Sequence, residues 1–425
     1  MNNKNQHIPA GYKSSPLGII PEDWEVKRLG EVANRIGDGI HGTPLYTDKS
    51  DYYFINGNNL NDGKIVITEA TKCVPYSEYL KYKKDLTKNT ILISINGSIG
   101  NIALYNDEKV MLGKSAAYIT IPNYKYFYHL LQSTQVLSIF EKELTGSTIR
   151  NLSLDSIRNL IVALPSQVEI DNITRIIDLW DTAISKQTQL VEKLTLRKRG
   201  LMQQLLTGKK RLKGFEGEWK EVKLGEVCAF LSNNTLSREQ LNNDNGEVQN
   251  IHYGDVLIKY PSVLDCNKIV LPFLNEGTYK ESMNDFIYDG DLIISDTAED
   301  ETVGKACEVQ NVGNRKILAG LHTMLLRPNA GIFAPYFLGY YINSEAYHGK
   351  LLPLIQGIKV CSIGKLAIQN TSIAVPSIDE QNAIASVLIQ ADKEIELANK
   401  KLTRLQEQKK GLMQVLLTGK KRIII

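Results

Sequence analysis

Cysteine is scarce in this sequence and follows no pairing pattern. The 425 residues contain five cysteines, an odd number, and none of them forms a C-x-x-C motif. These residues are Cys73, Cys228, Cys266, Cys307 and Cys361. The scatter argues against a disulfide framework and against a structural zinc site, and it indicates a reducing cytoplasm as the location.

Long apolar segments are missing as well. The first six residues read MNNKNQ, without the apolar stretch of a secretory signal. No apolar run approaches the ~18 residues that a membrane span needs. With 43% hydrophobic and 23% charged residues, the composition is that of a globular protein. We therefore expect a cytoplasmic protein that is long enough for two hydrophobic cores and has no contact with a membrane.

The motifs of an enzyme are also absent from the sequence. There is no Gly-x-x-x-x-Gly-Lys-Ser/Thr loop, no Gly-x-Gly-x-x-Gly after a strand and no Asn/Asp-Pro-Pro-Tyr/Phe tetrapeptide of an amino-methyltransferase. The six histidines are dispersed without metal-ligand spacing. The acidic residues of 296–301 would suit a divalent cation, but a solvated loop tip is the favoured interpretation. We expect no catalytic residue, no metal site and no cofactor in this chain.

An internal duplication organises what is present. Residues 200–211 read GLMQQLLTGKKR, and residues 411–422 read GLMQVLLTGKKR, with eleven of the twelve letters identical. A second echo pairs WEVKRLGEV at 24–32 with WKEVKLGEV at 219–227. Between the echoes the two halves diverge, so the repeat predicts two different globules and two alike segments. The predicted order is first globule 1–165, helical spacer 166–213, second globule 214–376 and second helical spacer 377–425.

Both alike segments have the apolar pattern of a long helix. Eleven positions from Ile170 to Leu205, spaced alternately by three and four residues, include nine apolar residues. The same positions 211 residues later also include nine. This alternation is typical of a coiled coil.

Local signals predict where these two helices begin and end. The starts have capping boxes, Ser166 with Glu169 and Ser377 with Glu380, and the ends have Gly208 and Gly419. Glycine accepts the left-handed conformation that closes many helices. Two further glycines, Gly200 and Gly411, lie inside the pattern and make a kink or a break there an open alternative.

We expect the two helices to pair with each other, since no other part of the sequence has an equally long apolar stripe. The 36 residues of 170–205 would form a rod of ~54 Å at ~1.5 Å per residue. Because a globule separates the two helices along the chain, an antiparallel pair about a pseudo-twofold axis is the natural arrangement. The alternative is that these heptads pair with another protein.

The globules themselves read as mixed α/β domains. Residues 90–105 contain two apolar runs around Asn-Gly, which is a hairpin signal, and Asn-Asp-Gly at 61–63 precedes another strand. Helices are predicted over 124–140 and 335–347, and strands over 291–295 and 323–326. The predicted fold class is thus α/β (α+β), with two mixed domains held apart by an antiparallel coiled coil of two long helices.

These features resemble the specificity subunit of type I restriction-modification systems over nearly the whole chain. The resemblance is carried by the Pro-Ser openings at 165–166 and 376–377, the duplicated GLMQxLLTGKKR endings and the two WxxxxLGEV starts. It implies two target-recognition domains that each read one half of a split site in double-stranded DNA. It also implies that the helices act as a spacer and dock two modification subunits.

The same resemblance implies chemistry in partner subunits rather than in this chain. Modification subunits would methylate adenine with S-adenosylmethionine, and restriction subunits would add cleavage that depends on ATP and Mg. The predicted rod agrees with half-sites one helical turn apart, ~34–36 Å, which leaves a gap of roughly six base pairs between them.

The charge of the second globule is unexpected for a DNA-binding domain. Residues 214–375 include 13 basic and 20 acidic residues, a net charge of −7. Because DNA binding is largely phosphate neutralisation, we expect partner subunits to supply most backbone contacts and this chain alone to bind DNA weakly. A local basic face within the acidic total is the alternative.

Base readout needs donors and acceptors on exposed loops, with glycines that let the backbone approach the bases. The candidates in the first globule are His41, Thr43, Ser98, Lys114, Arg150 and Asn151. The candidates in the second globule are Asn233, Asn234, Lys305, His322 and Lys359. For each of them an ordinary turn or surface role is the alternative.

Basic residues near the helix ends are candidates for docking partner subunits or phosphates. They are Lys198, Arg199, Lys209, Lys210, Arg211, Lys409, Lys410, Lys420, Lys421 and Arg422. Solvated helix faces would also explain these charges. For the whole chain, the rival interpretations are a duplicated scaffold without DNA readout and, less favoured, a stand-alone methyltransferase or nuclease.

Overall fold

The computed structural model describes residues 8–144, 151–283, 285–357 and 359–423. The chain divides into two compact units. Unit 1 comprises Met1–Thr188 and Lys400–Ile425, and unit 2 comprises Gln189–Asn399. Each unit therefore contains one globule together with parts of the two alike segments.

Unit 1 is a mixed α/β globule. Its strands are β1 (Tyr12–Ser15), β2 (Gly18–Pro21), β3 (Glu25–Arg28), β4 (Arg35–Asp38), β5 (Tyr53–Ile55), β6 (Leu60–Asn61), β7 (Lys64–Ile65), β8 (Thr90–Ser94), β9 (Ile102–Leu104), β10 (Val110–Leu112), β11 (Ala116–Thr120) and β12 (Ile161–Leu164). Its helices are α1 (Leu29–Val32), α2 (Tyr76–Tyr82), α3 (Tyr124–Leu131), α4 (Thr134–Leu144) and α5 (Leu154–Asn159). They are followed by the long helix α6 (Gln167–Leu205), which begins in unit 1 and ends in unit 2.

The main sheet of unit 1 is antiparallel, with strand order β4-β11-β8-β9, and β5 and β10 form a separate parallel pair. All five residues of the central strand β8 are buried, as an uninterrupted apolar run such as ILI predicts. The hairpin predicted around Asn-Gly is confirmed, because β8 pairs with β9. The turn before β7 is confirmed too, with positive φ at Asp62 (46°) and Gly63 (77°).

Unit 2 repeats this plan with different details. Its strands are β13 (Lys220–Lys223), β14 (Cys228–Leu231), β15 (Leu241–Asn242), β16 (Val248–Ile251), β17 (Val263–Asp265), β18 (Phe273–Leu274), β19 (Leu292–Ser295), β20 (Thr297–Ala298), β21 (Ala306–Gln310), β22 (Lys316–Ala319), β23 (Thr323–Pro328), β24 (Cys361–Ser362) and β25 (Ser372–Val375). Its helices are α7 (Leu224–Val227), α8 (Tyr253–Ile258), α9 (Phe337–Ile342), α10 (Glu345–Leu351) and α11 (Lys365–Gln369). The long helix α12 (Ile378–Leu416) begins in unit 2 and ends in unit 1.

The sheets of the two units correspond strand by strand at their centres. Unit 1 has the antiparallel order β4-β11-β8, and unit 2 has the antiparallel order β14-β23-β19. The parallel pair β5 and β10 has its counterpart in β16 and β22. The next strand also corresponds, with β9 beside β8 and β21 beside β19, and unit 2 extends its main sheet by β17. Two mixed α/β domains of one plan are therefore confirmed.

Both long helices run for 39 residues. They pass through Gly200 and Gly411 without interruption, so the break considered at these glycines does not occur. A glycine costs a helix only about 1 kcal/mol relative to alanine, and neighbouring turns offset that amount. The predicted closing glycines are confirmed, with φ of 67° at Gly208 and 69° at Gly419.

Within each unit the two long helices run antiparallel. In unit 1, Asp181 of α6 contacts Lys409 of α12, and Glu169, earlier in α6, contacts Arg422, beyond the end of α12. In unit 2, Lys198 contacts Asp392, while Arg211, later in the chain, contacts the earlier Glu380. Rising numbers on one helix thus meet falling numbers on the other. Knobs-into-holes packing along the full helices stays a prediction.

The shared segments also complete the hydrophobic core of each globule. In unit 1, Ile173 and Ile177 of α6 and Leu416 of α12 lie in one buried cluster with Trp24 and Phe127. In unit 2, the corresponding cluster contains Leu205 and Leu388 from the helices and Phe337, Tyr340 and Tyr347 from the globule. Among the described residues, no helix combines the length and the apolar character that crossing a membrane requires.

Candidate nucleic-acid interface

In unit 1, the loops that follow four strands meet at one edge of the domain, which we call the unit 1 edge. It consists of residues 39–43 after β4, 56–59 after β5, 95–101 after β8 and 113–115 after β10. Backbone contacts join these loops, since Ile40 bridges Gly113 and the Ile95 amide donates to the Ser115 carbonyl at 3.0 Å. The Ser115 hydroxyl also accepts from the Gly57 amide at 2.9 Å.

Most of the predicted unit 1 residues lie at this edge and point to solvent. His41, Thr43, Ser98 and Lys114 are exposed. His41 is oriented by Asp38, whose carboxylate lies 2.8 Å from the imidazole Nε2. Asn151 is exposed and joins the edge through a β-bridge with Asn96. Arg150 lies outside the described residues.

Sequence reasoning missed the residues that shape the unit 1 edge. Asn56 accepts a hydrogen bond of 2.9 Å from the Ser115 hydroxyl, which ties the loop after β5 to the loop after β10. Gly39 is required by packing, because a Cβ there would lie 2.1 Å from the Leu112 carbonyl oxygen. The glycines of 37–42 were the signal for a close backbone approach, but their partner strand was not visible in the sequence.

Unit 2 has a corresponding edge, which we call the unit 2 edge. It consists of residues 232–238 after β14, 252–254 after β16, 296–297 after β19 and 320–322 after β22. The Asn234 amide donates to Ala319 at 2.8 Å, and the Gly320 amide donates to Ile251 at 2.9 Å. One detail is identical in the two units. The Ser94 hydroxyl donates to the Asn96 carbonyl, and the Ser295 hydroxyl donates to the Thr297 carbonyl.

Three predicted residues of unit 2 are exposed. Asn233 lies at the unit 2 edge, where its amide donates to the Gly320 carbonyl at 3.2 Å. His322 is exposed at φ 53°, with its Nδ1 3.4 Å from an Asp296 carboxylate oxygen. Lys359 is exposed just before β24, which pairs with β20 beside the edge.

Two other predicted residues of unit 2 are occupied inside the fold. Asn234 is buried and donates from its amide to the Asn250 side chain at 2.6 Å. Lys305 is half-buried and donates to the Leu257 carbonyl at 2.6 Å, and burial lowers the pKa of its ammonium group. Because their side chains are buried or half-buried and bonded within the domain, neither residue belongs to the exposed part of the unit 2 edge.

The alike segments form a joint at the start of each long helix. In unit 1, the buried carboxylate of Glu169 accepts from Trp24 Nε1 at 3.0 Å and from Arg422 Nε and Nη2 at 2.7 and 2.9 Å. Arg422 also binds Asp23 through two contacts of 2.8 Å, which hold the pKa of that carboxyl below its usual value. We call this set the unit 1 joint.

The unit 2 joint repeats the arrangement with residues from the other echo. The Glu380 carboxylate accepts from Trp219 Nε1 at 3.2 Å and from Arg211 Nε and Nη2 at 2.5 and 2.7 Å. Arg211 Nη1 donates to the Gly217 carbonyl at 2.7 Å. The predicted capping boxes are thus formed only by their serines. Ser166 and Ser377 accept from helix amides as predicted, whereas both glutamates bind tryptophan and arginine.

The predicted docking residues divide into two groups. Arg211 and Arg422 hold the joints, Lys198 and Lys409 pair with Asp392 and Asp181, and Arg199 pairs with Glu345. Lys209, Lys210, Lys410, Lys420 and Lys421 are exposed, and their side chains make no hydrogen bond or ion pair with another described residue. Only this second group offers unpaired charge to a partner.

Lys198 and Lys409 occupy positions of the apolar pattern of the two long helices. Their acidic partners were not predicted from the sequence. Asp392 and Asp181 each lie 2.5 Å from the lysine ammonium group. A lysine at an apolar helix position needs a counter-charge, so an acidic residue on the facing helix was the available signal.

One group of metal-ligand residues occurs in the described part of the chain. His129, Asp178 and Asp181 offer three ligand atoms within 4.8 Å of one another. Lys125 lies 2.8 Å from Asp178, and Lys409 lies 2.5 Å from Asp181, so ammonium groups already neutralise both carboxylates. The cluster is therefore a polar contact between the buried His129 of α3 and half-buried carboxylates of the long helices.

Comparison with known proteins agrees with this architecture. A family described as the type I restriction modification DNA specificity domain matches twice, at residues 21–195 and 216–407. The putative type I restriction enzyme MjaX specificity subunit of Methanocaldococcus jannaschii is 26% identical over 97% of both chains. The MjaVIII specificity subunit of the same organism is 24% identical over 95% of this chain and 94% of its own.

Two solved structures share the fold. A chain from a study of complex assembly and conformational transition of the type I R-M system superposes with a TM-score of 0.56, at 16% identity, over 95% of this chain and 99% of its own. The type I restriction-modification S subunit from M. genitalium superposes with a TM-score of 0.50, at 17% identity, over 92% and 96%.

The two family matches cover most of the chain, one in each half. The chain therefore belongs to the family of type I restriction-modification specificity subunits, which confirms the resemblance drawn from the repeated motifs. Both relatives are named as specificity subunits and neither as a methyltransferase or a nuclease.

Proposed function

We propose that this protein recognises a split site in double-stranded DNA, with one half read by the unit 1 edge and the other by the unit 2 edge. The observation that carries the proposal is the duplication of one edge in two diverged globules. Both edges join the loops after equivalent strands, but they present different side chains, such as His41 and Lys114 in one and Asn233 and His322 in the other. Equal scaffolds with unequal loops suit two different half-sites.

The long helices would set the distance between the half-sites. Each is continuous for 39 residues and runs through its internal glycine without a break. Half-sites one turn apart on one face of DNA lie ~34–36 Å from each other, which leaves a gap of roughly six base pairs. A recognised motif with contiguous bases would contradict this part of the proposal.

Partner subunits would dock at the repeated lysine pairs that follow the helices. Lys209 and Lys210 after α6 have their equivalents in Lys420 and Lys421 after α12, and all four are exposed. A duplicated docking site fits two modification subunits, with restriction subunits joining the same complex. These partners would supply the chemistry, with S-adenosylmethionine for adenine methylation and with ATP and Mg for cleavage.

Partner subunits would also supply much of the contact with DNA phosphates. The net charge of −7 over residues 214–375 opposes tight binding by this chain alone. The complex would act in the cytoplasm, in agreement with cysteines that are all unpaired. We expect the isolated chain to bind its site more weakly and with a smaller salt dependence than the complex.

The proposal is tested by mapping methylated adenines across the host genome by long-read sequencing, with the gene intact and with the gene deleted. A split motif with a fixed gap should lose methylation on deletion. Exchange of residues 214–376 for the same region of a relative should then change one half of the motif and leave the other half intact. If no methylated motif depends on the gene, a duplicated scaffold becomes the better explanation.

A further inference from the structure

Arg238 stands at the unit 2 edge and was not among the residues expected to touch DNA. It opens a 3-10 turn, Arg238–Gln240, directly after the loop that contains Asn233. About half of its side chain is exposed, at 47%. Its Nη1 lies 2.7 Å from Asp255 Oδ2. The guanidinium is therefore anchored at one nitrogen and open to solvent elsewhere.

Asp255 is the buried counter-charge of this arginine. Its side chain is 2% exposed and also lies 2.9 Å from Lys259 Nζ. Burial opposes ionisation of the carboxyl, but the contacts with Arg238 and Lys259 outweigh burial and hold the pKa of Asp255 below its usual value. A buried carboxylate is stable only while paired, so Asp255 keeps the guanidinium of Arg238 beside it.

The remaining donors of Arg238 are unused. Its Nε and Nη2 make no hydrogen bond with another described residue. The two other arginines of residues 214–376 are occupied at two or more positions. Arg327 binds Asp291 and the Phe286 carbonyl, and Arg315 binds Asn311, Val312 and Asn267. Arg238 thus differs from both, because two adjacent nitrogens of its guanidinium group, Nε and Nη2, have no hydrogen-bond partner among the described residues.

Small and aromatic residues lie next to Arg238. A Cβ at Gly254 would lie 4.0 Å from Arg238 Nη2, at ordinary van der Waals distance. Tyr253, the preceding residue, contacts two histidine rings: it is tilted against His252 with ring centroids 4.6 Å apart, and it lies edge-on to His322 with centroids 5.3 Å apart. His322 and Asn233, both expected to read bases, therefore border the same surface.

We infer that Arg238 reads a guanine in the half-site of unit 2. An arginine fork that donates to guanine O6 and N7 in the major groove is the commonest specific contact between a side chain and a base. With Nη1 held by Asp255, the adjacent Nε and Nη2 form such a fork. This inference rests on the proposed DNA readout and adds to it a specificity-determining residue and the base that the residue selects.

The test compares four genes in the host by mapping methylated adenines: wild type, Arg238→Ala, Arg238→Lys and Arg315→Ala. The half of the motif read by unit 2 is first assigned by the exchange of residues 214–376. We expect a guanine at one position of that half. Arg238→Ala should lower the preference for guanine there roughly 10- to 100-fold and leave the other half unchanged.

The two other variants serve as controls. Arg238→Lys keeps the charge next to Asp255 but lacks the planar fork, so it should also lose the preference for guanine. Arg315→Ala removes an exposed arginine of the same unit whose two terminal nitrogens already donate to Asn311, Val312 and Asn267, and it should methylate the wild-type motif. If Arg238→Ala abolishes methylation because the chain unfolds, as a melting curve shows, Arg238→Lys decides the question.

The outcomes separate this inference from the proposed function. A half-site without guanine on either strand, or wild-type preference in Arg238→Lys, overturns the role of Arg238 while a split motif still supports DNA readout. A wild-type strain without any motif that depends on the gene removes the basis for both.

Discussion

In each unit, a buried side chain of the globule contacts the long helices. This side chain differs between the two units. In unit 1, His129 lies 3.0 Å from Asp178 and 3.8 Å from Asp181. At the equivalent position of unit 2, 211 residues later, Tyr340 donates its hydroxyl to Asp392 at 2.7 Å. Ile389 stands where unit 1 has Asp178.

The difference shows which part of the contact the duplication keeps. The aspartate and lysine that come from the helices are the same in both units, as Asp181 with Lys409 and as Asp392 with Lys198. The globule contributes the variable group, either an imidazole or a phenol. In unit 1 the imidazole contacts the additional Asp178, whereas in unit 2 the phenol donates to the shared aspartate Asp392 itself.

The largest expected effect comes from breaking the joint that is present in each unit. Arg422→Ala and Arg211→Ala each leave a buried glutamate without its cation, Glu169 or Glu380. We expect each variant to lower the free energy of unfolding by about 3–5 kcal/mol, measured by denaturant titration of the full chain. Hydrogen exchange should assign the loss to unit 1 for Arg422→Ala and to unit 2 for Arg211→Ala.

The neighbouring lysines give matched controls for this prediction. Lys421→Ala and Lys210→Ala remove exposed charges one residue away and should change stability by no more than about 0.5 kcal/mol. Equal losses for arginine and lysine variants would show that the joints contribute little.

A smaller effect, and an asymmetric one, is expected at the closing glycines. Gly208→Ala places alanine at positive φ, which costs about 1–2 kcal/mol, and its Cβ would meet nothing closer than Trp219 at 3.6 Å. Gly419→Ala has the same strain, but its Cβ would lie 2.3 Å from Pro21 Cδ. Melting curves should therefore show a larger loss for Gly419→Ala, and equal losses would contradict the packing difference.

The difference at the centre of the two contacts can be tested by giving unit 1 the residues that unit 2 has at the equivalent positions. His129→Tyr and Asp178→Ile are made singly and together, and unfolding free energies are compared in a double-mutant cycle. We expect the double variant to be more stable than the two single losses predict, with a coupling of about 0.5–3 kcal/mol. Additive losses would mean that these residues act independently.

Tyr340→Phe is the counterpart of that experiment in unit 2. It removes the hydroxyl that donates to Asp392 but keeps the ring, so we expect a loss of about 1–2 kcal/mol in the free energy of unfolding. A variant as stable as the wild-type chain would show that Lys198 alone satisfies Asp392.

The smallest effects are expected at the exposed lysine pairs. Replacing Lys209 and Lys210 by alanine, or Lys420 and Lys421, should leave stability unchanged and weaken assembly with the modification subunit about 1.5- to 5-fold. Pull-down titrations at two salt concentrations measure the effect. If only one pair matters, the two docking sites are not equivalent.

Much of the fold was accessible from the sequence because its signals are local. The hairpin of β8 and β9, the turn before β7 and both long helices were predicted from turn residues and apolar spacing, and the structure confirms them. The candidate site was less accessible. Asn234 and Lys305 have the polar character of loop residues that could contact bases. Their burial, however, depends on strands that are distant in the sequence.

By itself, the sequence determined that the protein is a duplication of two α/β globules with two alike helices, because periodicity and turn chemistry act over a few residues. Only the tertiary structure decided that Glu169 and Glu380 bind tryptophan and arginine and that Arg238 pairs with the buried Asp255. These contacts join residues that are up to 253 positions apart. Their existence depends on which groups lose water together when the chain closes, and a linear pattern does not encode that choice.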